Sequence, residues 1–505
     1  MIALLDRLSA WCADHTNPIV IKETRQMVRN KFVIGILLTL LAALLFAACA
    51  FILDNGSNPH RYFRGLGREL FALEFAILVF ASALIPLNTG ARLIKEREGD
   101  VDLLYVSAIT PGEIIRGKLF AAIAFWLLMV SAALPFLVFN FVLRGIDIPS
   151  VMMSLALLFA GVVIATQIAL LGGVFPGGKI IKGILAAIGA VLAFQILGGF
   201  FIFRHVSRMG RSTVSGFEWA PFLFVCCLFI AAAGVLHTCA VAMITSSQAN
   251  RAWPVRLWLT GVWLAFAIFG LIYEWTTAGS AHFFDAWTGG SVIILTFVFI
   301  VILGSPPTHS PRVRRGLAKN SLLRLLTFPF VSGLVNGIVW VGGLLAGTLL
   351  ITLIFADISG FDEDDIMGVL CFFFYGAAYG LTALVIQRKL LRQWIPRHLV
   401  WLLSVLVGIF FTILPVIMSF LLLGPSFRDL IWEFGCLPAA LDNHRGLLPH
   451  LMGAGAWMVI MLLINVRYIC QGLLTFSPPA TPPPPPLPTP ETVDEPTASQ
   501  PETEA

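Results

Sequence analysis

Apolar residues in this chain run on for about 20 positions at a time, again and again, with only short polar segments between the runs. At 1.5 Å per residue such a run crosses the ~30 Å hydrocarbon layer of a bilayer. Inside hydrocarbon the backbone must satisfy its own hydrogen bonds, so each run is expected to be helical. Composition agrees. Of 505 residues, 58% are hydrophobic and 12% charged, with mean hydropathy +0.89, whereas soluble domains carry roughly 25% charged residues. The chain is therefore expected to be an all-α, polytopic helical membrane protein with about 12 transmembrane helices. The spans fall near 33–53, 70–89, 119–143, 151–175, 181–203, 220–245, 256–274, 287–304, 332–356, 366–386, 399–424 and 450–474.

Positive residues set the orientation. With the N-terminus cytoplasmic, 24 of the 33 Lys and Arg lie in cytoplasmic segments. All the lysines do so: Lys22, Lys31, Lys95, Lys118, Lys179, Lys182, Lys319 and Lys389. The outer clusters Arg61, Arg64, Arg68 and Arg204, Arg208, Arg211 run against this pattern. An even number of spans with both termini cytoplasmic fits best, in the plasma (inner) membrane. Met1 to Asn17 carries Asp6, Arg7 and Asp14 without the apolar core of a signal peptide, so the first span is expected to be retained. The net charge of +5 gives no reason to expect a nucleic-acid partner. Eight cysteines, most within apolar runs, form no CxxC pair and suggest neither a disulfide framework nor a metal site.

The usual marks of chemistry are missing. The sequence holds no GxxxxGK[ST] phosphate loop, no HExxH and no GxSxG elbow. Asp362, Glu363, Asp364 and Asp365 cluster in a short outer loop, where a solvated loop is the plain reading. Charge in hydrocarbon is expensive and often functional, which singles out Glu74, Gln167, His237 and Arg467. Each also has a structural reading, and they do not line up as an ion path. No enzyme, no cofactor bound by this chain and no metal ligand is expected, and no substrate-binding residue can be named.

Two cytoplasmic segments stand out. The first, Asn17 to Lys31, precedes span one. Asn17 can cap a helix whose first position is Pro18. Lys22, Arg25, Gln26 and Arg29 then share one face and Val20, Thr24, Met27 and Val28 the opposite one, the pattern of a helix lying along a membrane surface. The second runs from Ala91 to Lys118, between spans two and three. Span two is expected to continue as a charged helix until Gly99 releases it. After a short turn containing Leu103 and Leu104, Thr110 and Glu113 make a capping box with Pro111 at the first helical position. The new helix runs through Lys118 into span three. The result is a charged helix–turn–helix projecting from two membrane helices.

These two segments, NPIVIKETRQMVRNK and IKEREGDVDLLYVSAITPGEIIRGK, resemble the permease subunits of ABC transporters of the type-2 exporter class. That family carries an interfacial elbow helix before span one and a loop after span two that couples to a separate ATPase. The resemblance implies that Pro18, Lys22, Glu23, Arg25 and Arg29 belong to the elbow, with the cations set at the anionic inner surface. It implies that Glu96, Glu98, Gly99, Asp102, Leu103, Leu104, Pro111, Glu113 and Lys118 belong to the coupling element; Gly117 also matches. The expected partners are a cytoplasmic ABC ATPase subunit that binds the ATP and Mg, a second permease copy (homodimer or heterodimer) and membrane lipid.

The expected organisation is then a cytoplasmic N-terminus with the elbow (1–31), a six-span permease-like region (32–250) holding the coupling loop 91–118, an additional six-span region (251–476) and a Pro-rich acidic cytoplasmic tail (477–505). That tail has 11 of the 29 prolines, five acids and no Lys or Arg, and is expected to be disordered. The second region departs from the family pattern. Its loop Gln387 to His398 has no acidic-Gly-…-Pro-X-Glu equivalent, and 305–331 holds Arg312, Arg314, Arg315 and Lys319 beside a leucine run that suggests a weaker interfacial helix. The leading expectation is a permease subunit of an ATP-driven exporter. The alternatives are an ion-gradient-driven secondary transporter and a non-transporting membrane scaffold.

Overall fold

The computed structural model describes residues 17–55, 66–99, 109–143, 146, 148–175, 219–246, 248–277, 283–355, 363–422, 435, 437 and 447–477. Every regular element among them is helical. In chain order they are α1 (Pro18–Val28), α2 (Lys31–Asn55), α3 (Leu66–Gly99), α4 (Pro111–Val142), α5 (Ile148–Val174), α6 (Trp219–Ile244), α7 (Ala252–Thr277) and α8 (Phe283–Ile302). Two short helices follow in the segment between α8 and the next span, α9 (Pro311–Arg315) and α10 (Ser321–Thr327). The remaining α-helices are α11 (Leu334–Ile354), α12 (Glu363–Lys389), α13 (Val400–Leu422), α14 (Leu447–Ile469) and α15 (Gln471–Thr475), with single 3-10 turns at Phe328–Phe330 and Arg397–Leu399.

Eleven helices among the described residues are long and apolar enough to cross a bilayer. They coincide with expected spans one to four and six to twelve; the fifth, 181–203, lies outside the described residues. Large apolar side chains stand fully outward on them, among them Leu38, Phe46 and Leu53 on α2 and Phe80 on α3. A water-soluble protein does not expose such stripes; against lipid they carry no cost. The chain is an all-α, multi-pass membrane protein.

Local sequence explains where the helices begin and end. Asn17 caps α1 through a 2.9 Å bond from the Ile19 amide to its Oδ1. Asn30 caps α2 in the same way, accepting from the Phe32 amide at 3.0 Å. α3 is 34 residues long, about 51 Å at 1.5 Å per residue, so it overshoots the bilayer and carries Arg92, Lys95 and Glu96 beyond it before stopping at Gly99. α4 opens on the expected capping box. Thr110 Oγ1 accepts from the Glu113 amide, and Glu113 Oε2 accepts from the Thr110 amide at 2.8 Å. The acids Asp364 and Asp365 stand exposed in the first turn of α12, where they suit the positive end of the helix dipole.

The chain divides into two compact units, one comprising 1–291 with 352–360 and the other 292–351 with 361–505. In the first, α2, α3, α4 and α5 share an apolar core through Leu44, Phe71, Leu78, Met129, Leu137 and Leu158. α7 joins that unit by seating Trp258 against Gly234 of α6, its indole donating to the Ala231 carbonyl at 3.2 Å. In the second, α12 packs against both α13 and α14. Tyr375 of α12 is fully buried and shares a 3.0 Å hydrogen bond with His450 of α14, and Tyr379 stacks near Phe411 and Trp457.

Candidate functional site

The two segments singled out by sequence meet in space. α1 lies against the Gly99 end of α3 and the Pro111 end of α4, and three residues on one stripe face inward: Ile19, Glu23 and Met27. Ile19 needs Gly117. A Cβ at Gly117 would sit 2.6 Å from Ile19 Cγ2, so a residue without a side chain is required for the elbow to seat on α4. Asn17 does two jobs. Its Oδ1 caps α1 while its Nδ2 donates to the Glu113 carbonyl at 2.7 Å, joining the first turn of the elbow to the first turn of α4.

Glu23 is the centre of this joint. It is 4% exposed, a position that an acid occupies only when paired. Its Oε1 accepts from Lys118 Nζ of α4 at 2.6 Å and its Oε2 pairs with Arg92 Nη2 of α3 at 2.9 Å. Lys118 also bridges to Glu96 Oε2 at 2.6 Å, and Arg92 Nη2 donates to Gln26 Oε1 at 2.6 Å. Two carboxylates and two cations therefore balance each other across three helices. Charge-assisted bonds of this length are the strong kind, and the arrangement leaves no buried charge without a counter-ion. A small cleft beside it is lined by Asn88, Thr89 and Arg92 on one wall and Met27 and Phe125 on another.

The structure changes three details of the sequence reading. The elbow has a third face: Met27 turns inward with Ile19 and Glu23, while Val28 is 70% exposed, so the two-sided division into basic and apolar stripes is incomplete. Lys118, which the resemblance places in the coupling element, is buried and spent on Glu23 and Glu96; it ties this chain together. Glu96 shares that tie, with its side chain 30% exposed. The other residues of the two segments are placed as follows, where they are described. Pro18, Lys22, Arg25 and Arg29 are exposed on the elbow. Pro111 opens α4, and Glu113 serves the capping box. Gly99 ends α3, the Glu98 side chain is outside the described residues, and so are Asp102, Leu103 and Leu104.

At the opposite end of the same antiparallel pair, α3 and α4 meet a second time through polar groups. Asn140 Nδ2 donates to Glu74 Oε2 at 2.7 Å, both residues being fully buried, and among the described residues no group donates to Glu74 Oε1. Sequence reading picked out Glu74 and missed Asn140, Arg92 as a tie, and the packing role of Gly117. Gln167 is buried on α5, His237 is partly buried on α6, and Arg467 is exposed in the last turn of α14. No group of three or more His, Cys, Asp or Glu among the described residues is arranged to hold a metal. Nothing in the joint is a nucleophile or an acid–base pair facing a substrate. What it can do is mechanical: make the elbow and the bases of both arms of the 91–118 element move together. Comparison with protein-family models, curated proteins and solved structures finds no match to this chain.

Proposed function

We propose that the chain is the membrane-spanning permease subunit of an ATP-driven exporter, working with a separate cytoplasmic ABC ATPase and a second permease copy. The single observation that carries this reading is the ionic joint of Glu23, Arg92, Glu96 and Lys118. A helix at the membrane surface is bolted to both arms of a charged element that continues unbroken into two spans. Force applied by a partner to the ends of α3 and α4 at Gly99 and Thr110 would pass directly into both spans, and spans so driven can switch between two rigid-body arrangements. Substrate moves across the membrane; ATP and Mg are held by the partner.

The test is affinity purification of the full chain in mild detergent beside a Glu98→Lys/Asp102→Lys variant, which leaves the capping box and the ionic joint untouched. A P-loop ATPase recovered with the wild type and lost from the variant is the expected result. Recovery of no ATPase with either would overturn the reading. The buried Glu74–Asn140 pair favours a second reading, gradient-driven transport. It requires transport by the isolated chain that fails in Glu74→Gln.

A further inference from the structure

The segment joining α8 to α11 carries five cations, Arg312, Arg314, Arg315, Lys319 and Arg324, and no acid between residues 305 and 331. Within it lies α10, seven residues long. Leu322, Leu323, Leu325 and Leu326 are 65%, 51%, 73% and 62% exposed, and none of the helix's residues is buried. On a 3.6-residue repeat these leucines cover one broad arc and Arg324 falls opposite it. A helix this short is not stable alone in water, so it is held from outside. Asn320 Oδ1 accepts from the Leu322 amide at 3.0 Å, and Asn336 Nδ2, in the first turn of α11, donates to the Phe328 carbonyl at 2.7 Å. The structure thus fixes an apolar arc outward and anchors it to a span that leaves it no distance to travel from the bilayer surface.

We infer that α10 is an interfacial anchor whose leucines enter the cytoplasmic leaflet and whose neighbouring cations hold anionic phospholipid headgroups. Two observations select lipid as the occupant. The segment is tied at both ends to membrane spans, and its charge is of one sign, opposite to that of an anionic leaflet. Helices of this pattern sit about 5–10 Å into the boundary between headgroups and acyl chains. Arg312, Arg315 and Lys319 are exposed for headgroup contact, whereas Arg314 donates to the Ser477 carbonyl at 3.1 Å. This inference does not depend on the exporter reading.

The experiment places an environment-sensitive fluorophore on Leu325→Cys, and separately on Leu322→Cys, in the full chain with its own cysteines replaced. Each is reconstituted into phosphatidylcholine vesicles with and without phosphatidylglycerol. Expected are a blue-shifted emission quenched by lipids spin-labelled near the headgroup but not by aqueous iodide, and a deeper position when phosphatidylglycerol is present. Arg312→Gln/Arg315→Gln/Lys319→Gln should abolish the phosphatidylglycerol dependence and lower several-fold the number of anionic lipids retained in native mass spectrometry. Quenching by iodide would overturn the inference, because the arc would face water. Shielding from both quenchers would overturn it too, because protein would then cover the arc. A depth indifferent to phosphatidylglycerol would overturn the headgroup assignment.

Discussion

Glu23 pairs with cations from two different spans, and its neighbours in sequence give no sign of it. A single acid in a basic helix reads equally well as a local partner for Lys22 or Arg25. Its true partners lie far along the chain, Lys118 at a separation of 95 residues, and nothing local encodes them. The trace that could have been followed is the i, i+4, i+8 spacing of Ile19, Glu23 and Met27, which puts an acid in the middle of an inward stripe. Replacing Glu23 by Ala should cost toward the lower end of the roughly 3–5 kcal/mol found when one partner of a buried pair is removed, since Lys118 keeps Glu96. Thermal loss of monodisperse protein in detergent measures it, and Glu23→Gln/Lys118→Met should recover most of the loss. A Glu23→Ala chain as heat-resistant as wild type would show that the joint contributes nothing. Amine footprinting offers a second check. Lys118 should stay unmodified while Lys22, Lys95 and Lys319 react, and Gly117→Val, by pushing Ile19 away, should make Lys118 reactive.

Helix ends were legible because their determinants are adjacent in sequence: Asn17 before Pro18, Thr110 with Glu113, Gly99 after a run of charge. Helix faces were not. In a span the lipid side and the protein side are both apolar, so periodicity carries little information, and the crossing of α3 on α5 could not be read from it. There a Cβ on Gly90 would come within 3.2 Å of Ala169 Cβ, and Gly173 lies against Leu93. Gly90→Leu should therefore destabilise the fold by about 1–3 kcal/mol through overpacking, seen as a lower melting temperature, whereas Gly35→Leu, with open space around it, should be near neutral. α15 is held differently. His309 Nε2 donates to Asn336 Oδ1 at 2.9 Å, its Nδ1 shares a 2.9 Å hydrogen bond with the Thr475 hydroxyl, and Phe476 packs on the ring. Burial, and then the nearby Arg314, hold the His309 imidazole below its ordinary range, against the opposing hydrogen bond to Asn336. The neutral ring belongs to the folded state, so this tie is fully present above about pH 6.5 and weakens as pH falls below that value. Corrected for the intrinsic pH dependence of amide exchange, the protection of residues 471–477 should fall between pH 7 and pH 5 in the wild type and stay flat in His309→Gln.

Across the whole molecule, charge bias and span count predict one orientation, and a single fusion pair examines it. A fluorescent protein that matures only in the cytoplasm should be bright when fused after Ala505 and dim when inserted after residue 441 in the loop between α13 and α14. The reverse result would place both termini outside. The multi-pass layout could be anticipated because hydrocarbon thickness sets span length irrespective of tertiary detail, and eleven of the twelve expected spans fall on described helices. What the second compact unit does was not readable, since its buried Tyr375, Tyr379 and His450 are ordinary apolar-run residues until α12, α13 and α14 bring them together. The joint at Glu23 also bears on how the molecule is made. The elbow leaves the ribosome before either of the spans that supply its counter-ions, and Lys118 reaches the membrane only after Arg92 and Glu96. α1 must therefore wait with an unpaired acid, acting as the template on which the hairpin of α3 and α4 closes, and a chain delivered with that helix displaced would assemble this hairpin around a lysine that has lost one of its two counter-ions.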